Sequence, residues 1–335
     1  MKAIQSRHPA TLDSLTLVDL PDAVEPGAGE IKVRIRASSL NYHDYCVVTG
    51  LIRAAENRIP MSDGAGEVIA VGAGVADYKV GDNVVSAFFP YWPDGQPAPE
   101  GFTKVPGDGI DGYAREMITA PSGWFTHTPI GYSHAEAATL TCAGLTAWRA
   151  LVVDGGIKPG ETVLVQGTGG VSVFALQFAK AIGCTVIATS SSDAKLERMK
   201  ALGADHLINY KDTPAWGMAA LQATGFVGVD HVVEIGGAGT LDQSMIATRN
   251  GGHIAVIGVL AGYSGPVSTV MLMGKQLRVQ GLTVGSQQQQ REMIAAINVW
   301  GVKPILDQSF PLVRLGDAFR HQESGTHFGK IVVEI

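Results

Sequence analysis

Thr162-Val-Leu-Val-Gln-Gly-Thr-Gly-Gly-Val-Ser172 is the stretch that decides the fold. Val163 to Val165 form a short apolar run, with Pro159-Gly160 before it and Gly167 after it, the pattern of a buried parallel strand. Gly167, Gly169 and Gly170 then make a turn. Behind the turn Val171, Val173, Phe174, Leu176, Phe178, Ala179 and Ile182 recur with helical spacing until Gly183. Strand, glycine turn and helix together make a phosphate cradle. Gly167 permits the tight turn, Gly169 lets a pyrophosphate approach the backbone, and Thr168, Gly170 and Val171 bring the turn into the helix N-terminus, whose free N–H groups face an anion. Ser172 replaces the third glycine of the G-x-G-x-x-G pattern with another small residue. Glycine turns are common in α/β folds, so a purely structural turn is the competing reading. A second β-rich run, Thr185–Thr189, followed by a helix over Lys195–Leu202, favours the dinucleotide site.

The same alternation extends outward. From about residue 126, strand and helix segments follow one another at 162–166, 171–182, 185–189, 193–202, 207–209, 215–223, 229–234, 240–248 and 252–258, the rhythm of a doubly wound parallel sheet. Ser133 and Glu136 are spaced as a capping box, opening a helix through Ala150. Residues 277–284 and 329–335 read as further strands, and Gln287–Gln290 opens a helix through Trp300. Residues 1 to about 125 are instead β-rich, with strands at Lys2–Gln5, Leu15–Asp19, Glu30–Ser38, Gly66–Val71 and Asn83–Phe88. Ile31, Val33 and Ile35 alternate with Lys32, Arg34 and Arg36, as on a half-exposed antiparallel strand. Residues 90–112 form a long loop rich in Pro, Gly and Asp that carries Tyr91, Trp92 and Phe102.

At 335 residues the chain exceeds one compact core. We expect two domains: a β-rich one from 1–125 plus 300–335, and a cofactor domain over 126–299. The composition, 46% hydrophobic and 17% charged with 42 glycines, suits an α/β enzyme. A net charge of -6 gives no support for nucleic-acid or membrane-surface partners, and no apolar run reaches spanning length. The start of the chain lacks a signal-peptide pattern. Three cysteines, Cys46, Cys142 and Cys184, make no disulfide framework and fit a reducing compartment; the cytoplasm is expected.

Several motifs combine into a resemblance. They are Pro26-Gly-Ala-Gly-Glu30, Ser39-Leu-Asn-Tyr-His-Asp44, Asp63-Gly-Ala-Gly-Glu67, Val80-Gly-Asp82, Ala138-Thr-Leu-Thr-Cys-Ala-Gly-Leu-Thr-Ala-Trp148, the glycine turn, Leu202-Gly-Ala-Asp205, Ile208-Asn-Tyr210 and Gly329-Lys-Ile-Val332. Over essentially its whole length the chain resembles the medium-chain dehydrogenase/reductase superfamily, in its zinc-independent quinone-reductase-like or alcohol-dehydrogenase-like branch. The resemblance implies a doubly wound parallel Rossmann sheet inserted into a β-rich GroES-like substrate domain built from both chain ends. It also implies cofactor contacts at Thr146, Gly236, Gly258 and Lys330. Zinc-using members place Cys where this chain has Asn41 and His-Glu where it has Ser62-Asp63, with a third ligand at or near Cys142. Asp63 and Cys142 offer ligand atoms, but Asn41 and Ser62 do not suit a catalytic zinc, and residues 90–112 lack the four cysteines of a structural one, so no metal is expected and Cys142 reads as a small buried residue.

Without zinc, another group must polarise a carbonyl or supply a proton. His43 is the candidate, since imidazole titrates near neutrality. A packed histidine bonded to backbone is the competing reading. Tyr42 either lines the pocket or donates a phenolic hydrogen bond. Asn41 and Asp44 match zinc-free relatives, where Asp44 orders the loop rather than reacts. With Tyr91, Trp92, Phe102 and Leu260, the pocket reads as apolar. The function expected is hydride transfer to a carbonyl, enone or quinone. NAD(P)-dependent alcohol oxidation and a non-catalytic dinucleotide-binding redox sensor are the alternatives. A nucleophilic hydrolase is disfavoured because no G-x-S-x-G elbow is present.

Cofactor choice turns on the end of the second strand. NAD-specific sites place a carboxylate there to bond the ribose 2′-hydroxyl; this chain has Ser190 and Ser191, with Lys195 close behind. The pattern predicts NADPH, with NADH possible, although Asp193 adds a negative charge beside the lysine. Tyr210 stands where quinone-reductase-like relatives place an adenosine-side contact. Apolar runs at Val270–Met273 and Leu277–Val284 read as strand-like, and an exposed apolar edge strand implies a homodimer.

Overall fold

The computed structural model describes residues 1–96 and 101–335. Its strands are β1 (Lys2–Gln5), β2 (Thr16–Asp19), β3 (Glu30–Ser39), β4 (Ala65–Val71), β5 (Asn83–Ser86), β6 (Met117–Pro121), β7 (Phe125–His127), β8 (Thr162–Gln166), β9 (Thr185–Ser190), β10 (His206–Asn209), β11 (Val229–Glu234), β12 (Thr248–Val256), β13 (Arg278–Gly281), β14 (Leu306–Pro311) and β15 (Lys330–Glu334). The chain divides into two compact units, Met1–Leu145 with Val284–Ile335, and Thr146–Thr283.

The first unit is built on a sheet in the order β14-β15-β3-β4-β5-β7, with β6 also pairing β3 and a separate β1-β2 hairpin. β3 is the spine. Its alternation buries Ile31, Val33 and Ile35 against Val68, Val84, Ile118 and Phe125, and turns Arg34 and Arg36 to solvent. Both chain ends contribute, because β15 pairs antiparallel with β3 through Val332 opposite Ser39. Lys330 is thereby brought to the end of β3 and the helix Tyr42–Val48 that follows it.

The second unit is a parallel sheet in the order β10-β9-β8-β11-β12-β13, with helices in its crossovers. The strand order reverses between β8 and β11, the switch point at which open α/β sheets bind ligands beyond their carboxyl ends. Val163, Leu164 and Val165 are wholly buried, as a central parallel strand requires. The helix Gly170–Ile182 ends at Gly183, whose left-handed φ of 98° lets the chain turn straight into β9.

Three expectations need correction. The compact units divide after Leu145 and after Thr283, whereas the sequence placed the boundaries at 125/126 and 299/300. Side-chain bonds explain the difference at the second boundary. The helix Gln287–Trp300 sends Gln290 to the Ser86 carbonyl at 3.1 Å and the Thr126 hydroxyl at 2.7 Å, and Gln287 to the Pro90 carbonyl at 2.8 Å, all in the first unit. Val270–Met273 lies in a helix, Thr269–Gly274, capped by the Ser268 hydroxyl accepting from Met271 N. Methionine and leucine favour helix where an N-cap starts it. The helix expected from Ser133 to Ala150 is interrupted by π-turns at Leu140–Gly144 and Arg149–Val153. Among the described residues no helix is long and apolar enough to cross a membrane.

Candidate active site

At the end of β8 the glycine turn has the geometry of a phosphate cradle. Gly167 adopts φ 70°, and its N–H is held by the Thr189 carbonyl of the neighbouring strand at 2.8 Å. Gly169 is the N-cap of Gly170–Ile182, and no side chain caps that helix. A Cβ built on Gly169 meets nothing within 4 Å among the described residues, so a ligand can approach this backbone closely. Uncapped N–H groups, a positive helix end and open space suit a pyrophosphate. Thr168 and Thr146 are both buried, and Gly170 and Val171 are half-buried. Gly236 and Gly258 follow β11 and β12, on the same carboxyl side of the sheet.

At the end of β9 Ser190 is buried and its hydroxyl accepts from Ser192 N at 3.3 Å. Ser192 caps the helix Asp193–Ala201, which carries Lys195, and Ser191 is half-buried between them. Asp193 accepts from Asn209 Nδ2 at 2.8 Å, which ties the carboxylate to β10. Tyr210 is partly exposed, with its N–H on the Ser190 carbonyl at 3.0 Å.

The first unit holds a buried polar array that runs through Ser39, Asp63, Lys330, Asn41, Asp44, His43 and Asp108. Lys330, 4% exposed, donates to Asn41 Oδ1 at 2.6 Å and to the Leu40 carbonyl at 2.5 Å, and lies 3.6 Å from Asp63 Oδ2. Two of its three donors are thus bonded inside this unit. Ser39 donates to Asp63 Oδ2 at 2.5 Å. Asp44 accepts from Asn41 N at 3.0 Å, Asn41 Nδ2 at 3.1 Å and Ser62 N at 2.8 Å, so it fixes the loop–helix junction through a capping box on Asn41.

His43 stands between two carboxylates. Nε2 is 3.3 Å from Asp108 Oδ2, and Nδ1 is 3.9 Å from Asp44 Oδ1, an ionic contact too long for a hydrogen bond. Phe102 stacks on the imidazole at 5.5 Å between centroids and Phe88 meets it edge-on at 5.4 Å. Burial alone pushes the imidazole pKa down, but Asp108 and Asp44 outweigh it and raise the value to about 9. His43 is therefore an imidazolium at neutral pH, with a proton to give. Asp63 is raised to about 6, because its burial outweighs the attraction of Lys330. Asp44 is lowered: burial opposes its charge, but His43 and the Ser62 N–H prevail.

Asn41 and Ser62 offer neither thiolate nor imidazole. Asn41 Oδ1 already accepts from an ammonium, and a second cation at that oxygen would face Lys330 directly. Among the described residues no group of three or more His, Cys, Asp or Glu side chains is arranged to hold a metal. Cys142 is half-buried rather than fully buried.

The aromatic residues separate. Tyr42 is partly exposed at the start of its helix. Tyr91 is exposed, edge-on to Trp124 at 5.6 Å, with Lys104 Nζ 5.6 Å over its ring. Trp92 is 3% exposed, packs on Phe89 at 5.9 Å and donates its indole N–H to the Gly95 carbonyl at 3.1 Å. It is buried in the loop. Leu260 is exposed and lies in the second unit. Asp108 and Glu234 were missed by the sequence reading. Asp108 sits among glycines and reads as loop solvation, and Glu234 as one more strand-end residue.

Comparisons with known proteins agree with this geometry. A family model described as zinc-binding dehydrogenase matches residues 170–299, and one described as alcohol dehydrogenase GroES-like domain matches residues 27–130. A zinc-type alcohol dehydrogenase-like protein of Schizosaccharomyces pombe is 40% identical over 95% of this chain and 93% of its own. A solved NAD-dependent alcohol dehydrogenase superposes with a TM-score of 0.91 at 33% identity, covering 100% of both chains. A crotonyl-CoA carboxylase/reductase solved in complex with NADP superposes at 0.87 with 25% identity, covering 100% of this chain and 94% of its own. On these matches the chain belongs to the medium-chain dehydrogenase/reductase superfamily, in its alcohol-dehydrogenase-like branch, and is an oxidoreductase of that type.

Proposed function

We propose that the protein is a zinc-independent, NADPH-dependent reductase that delivers hydride to a carbonyl, enone or quinone carbon. The observation that carries the reading is the Lys330 ammonium bonded to Asn41, the position at which a metal-using relative needs a thiolate. A bound nicotinamide supplies the hydride. Gly167, Thr168, Gly169, Gly170 and Val171 hold its pyrophosphate, while Gly236, Gly258 and Thr146 complete the contact set. Ser190, Ser191 and Lys195 favour a 2′-phosphate, with Tyr210 on the adenosine side. The likeness to a reductase solved with NADP supports that preference.

His43 holds the proton that the reduced substrate takes up. Asp108 and Asp44 keep the imidazole charged and oriented before transfer. Tyr42 offers a second hydroxyl donor at the same helix start. Asn41, Asp44, Tyr91 and Phe102 are the substrate-side candidates of the first unit, and Leu260 is that of the second. Lys330 takes over the structural work of a cation.

A second reading is NAD-dependent alcohol oxidation, favoured by the 33% identical NAD-dependent alcohol dehydrogenase of the same fold. Turnover of enones, quinones, aldehydes and primary and secondary alcohols with each cofactor separates the two. NADPH consumption on enones or quinones supports reduction; alcohol-dependent NADH formation as the dominant activity replaces it. We further propose a cytoplasmic homodimer. β13 is an exposed edge strand, and Val270 and Met273 on the preceding helix are 74% exposed, a surface suited to a second copy. Light scattering at micromolar concentration that gives a monomer mass removes the dimer.

A further inference from the structure

We propose that Glu234 is a positioning residue for the dinucleotide, its carboxylate tying the loop Gly236–Thr240 to the glycine turn across the switch point of the sheet. The inference rests on the dinucleotide reading of that turn and extends it to a residue that touches no ligand.

Glu234 ends β11 and is wholly buried. Its two oxygens accept five hydrogen bonds. Oε1 takes Gly236 N at 2.7 Å, Gly237 N at 3.0 Å and Thr240 Oγ1 at 2.6 Å. Oε2 takes Gln166 Nε2 at 2.6 Å and the Ser244 hydroxyl. One carboxyl group thus fixes a loop by two backbone N–H groups and a side chain, and binds it to the last residue of β8. A buried carboxylate is tolerated when donors saturate it, and it is then rigid.

Gln166 carries the connection onward. Its Nε2 also reaches Ser244 Oγ at 2.7 Å, and its Oε1 accepts from Ile235 N at 3.3 Å. Its backbone carbonyl accepts from Ser172 Oγ at 2.5 Å, on the first turn of the helix behind the glycines. Ser172 is the residue in place of the third glycine, and here its hydroxyl has a use that glycine lacks. The chain of bonds therefore runs from Thr240 through Glu234 and Gln166 to Ser172, and spans both loops that flank the reversal in strand order. The loop itself leaves no slack: a Cβ on Gly236 would lie 2.2 Å from Thr240 Oγ1. A site assembled from two loops needs them held to a fraction of an ångström, and a shared buried acceptor does that without entering the site.

The chemistry suggests a charge-transposition test. In Glu234→Gln the new amide nitrogen is excluded from the Oε1 side, where three donors converge. It turns to the Oε2 side and opposes Gln166 Nε2, donor against donor. Adding Gln166→Glu restores an acceptor there. The measurement is the Kd for NADPH and for NADH, by titration of intrinsic fluorescence below the melting temperature of each variant. Glu234→Gln is expected to weaken binding on the order of ten- to a hundredfold, and Glu234→Gln with Gln166→Glu to recover most of it. Thr240→Val, which removes one donor of the same size, is expected to weaken binding several-fold and serves if Glu234→Gln does not fold. If the variants melt lower but bind as wild type does, Glu234 is only a stabilising residue and the proposal is overturned. Wild-type protein that binds neither nucleotide overturns the dinucleotide reading and this proposal with it.

Discussion

Replacing Lys330 by methionine removes the cation and keeps the aliphatic stem. It leaves three acceptors behind: Asn41 Oδ1, the Leu40 carbonyl and, at 3.6 Å, the fully buried Asp63 carboxylate. Removing one partner of a buried pair costs about 3–5 kcal/mol. In the first unit that corresponds to a fall in Tm on the order of 10 °C. The loss depends on pH through Asp63. Its folded pKa, about 6 with Lys330 present, lies above the ordinary carboxylate value of 3.8. The unfolded chain therefore releases this proton first, so the contribution of Asp63 to stability is fully present below about 3.8 and declines as pH rises through 6. Without Lys330 the folded pKa moves higher, and the decline continues over a wider range. Lys330→Met is thus expected to cost least near pH 5, where Asp63 is neutral, and most near pH 8. Lys330→Met with Asp63→Asn, which removes both charges, is expected to regain most of the loss at pH 8. Calorimetry of the three proteins at both pH values reads this directly. An equal loss at pH 5 and pH 8, or a double variant no better than the single, would refute the argument that Lys330 neutralises Asp63.

His43→Phe keeps the ring stack on Phe102 and is expected to lower kcat on the order of a hundredfold with Kd for NADPH little changed; unchanged turnover moves the proton source to Tyr42 or water. His253, buried beside His231 and Arg278, has its pKa pushed down to about 4, by burial first and then by those two neighbours. The unfolded chain binds that proton first, so the stability that His253 contributes is present above about 6.5 and lost as pH falls toward 4; His253→Leu is expected to flatten the Tm profile across that window, and an unaltered profile assigns the acid sensitivity elsewhere. Lys195→Ala is expected to lower kcat/KM for NADPH about tenfold more than for NADH, and an unchanged ratio sinks the 2′-phosphate reading of Ser190, Ser191 and Lys195.

Legibility in the sequence followed the range of the interaction. Val163–Val165 and Gly167–Gly170 were readable because strand burial, turn and helix start are all encoded within eleven residues. The β3 alternation was readable for the same reason. The partner of Asn41 was hidden in the sequence, because Lys330 lies 289 positions away and arrives only through the β15–β3 pairing. Asp108 reaches His43 across 65 positions from a loop without periodicity. Trp92 misled because an aromatic in a polar loop reads as a lid contact, whereas its indole is satisfied within the loop itself. Val270–Met273 misled because a short apolar run has no period of its own, and the Ser268 cap decided for helix.

The central claim is hydride transfer without a metal, on a site whose cation is Lys330. The direct measurement is the zinc content of protein purified without added metal, together with NADPH-dependent turnover on an enone or quinone before and after prolonged exposure to a strong chelator. The account predicts zinc far below one equivalent per chain and unchanged turnover. Stoichiometric zinc, with turnover that chelation abolishes and zinc alone restores, would contradict it.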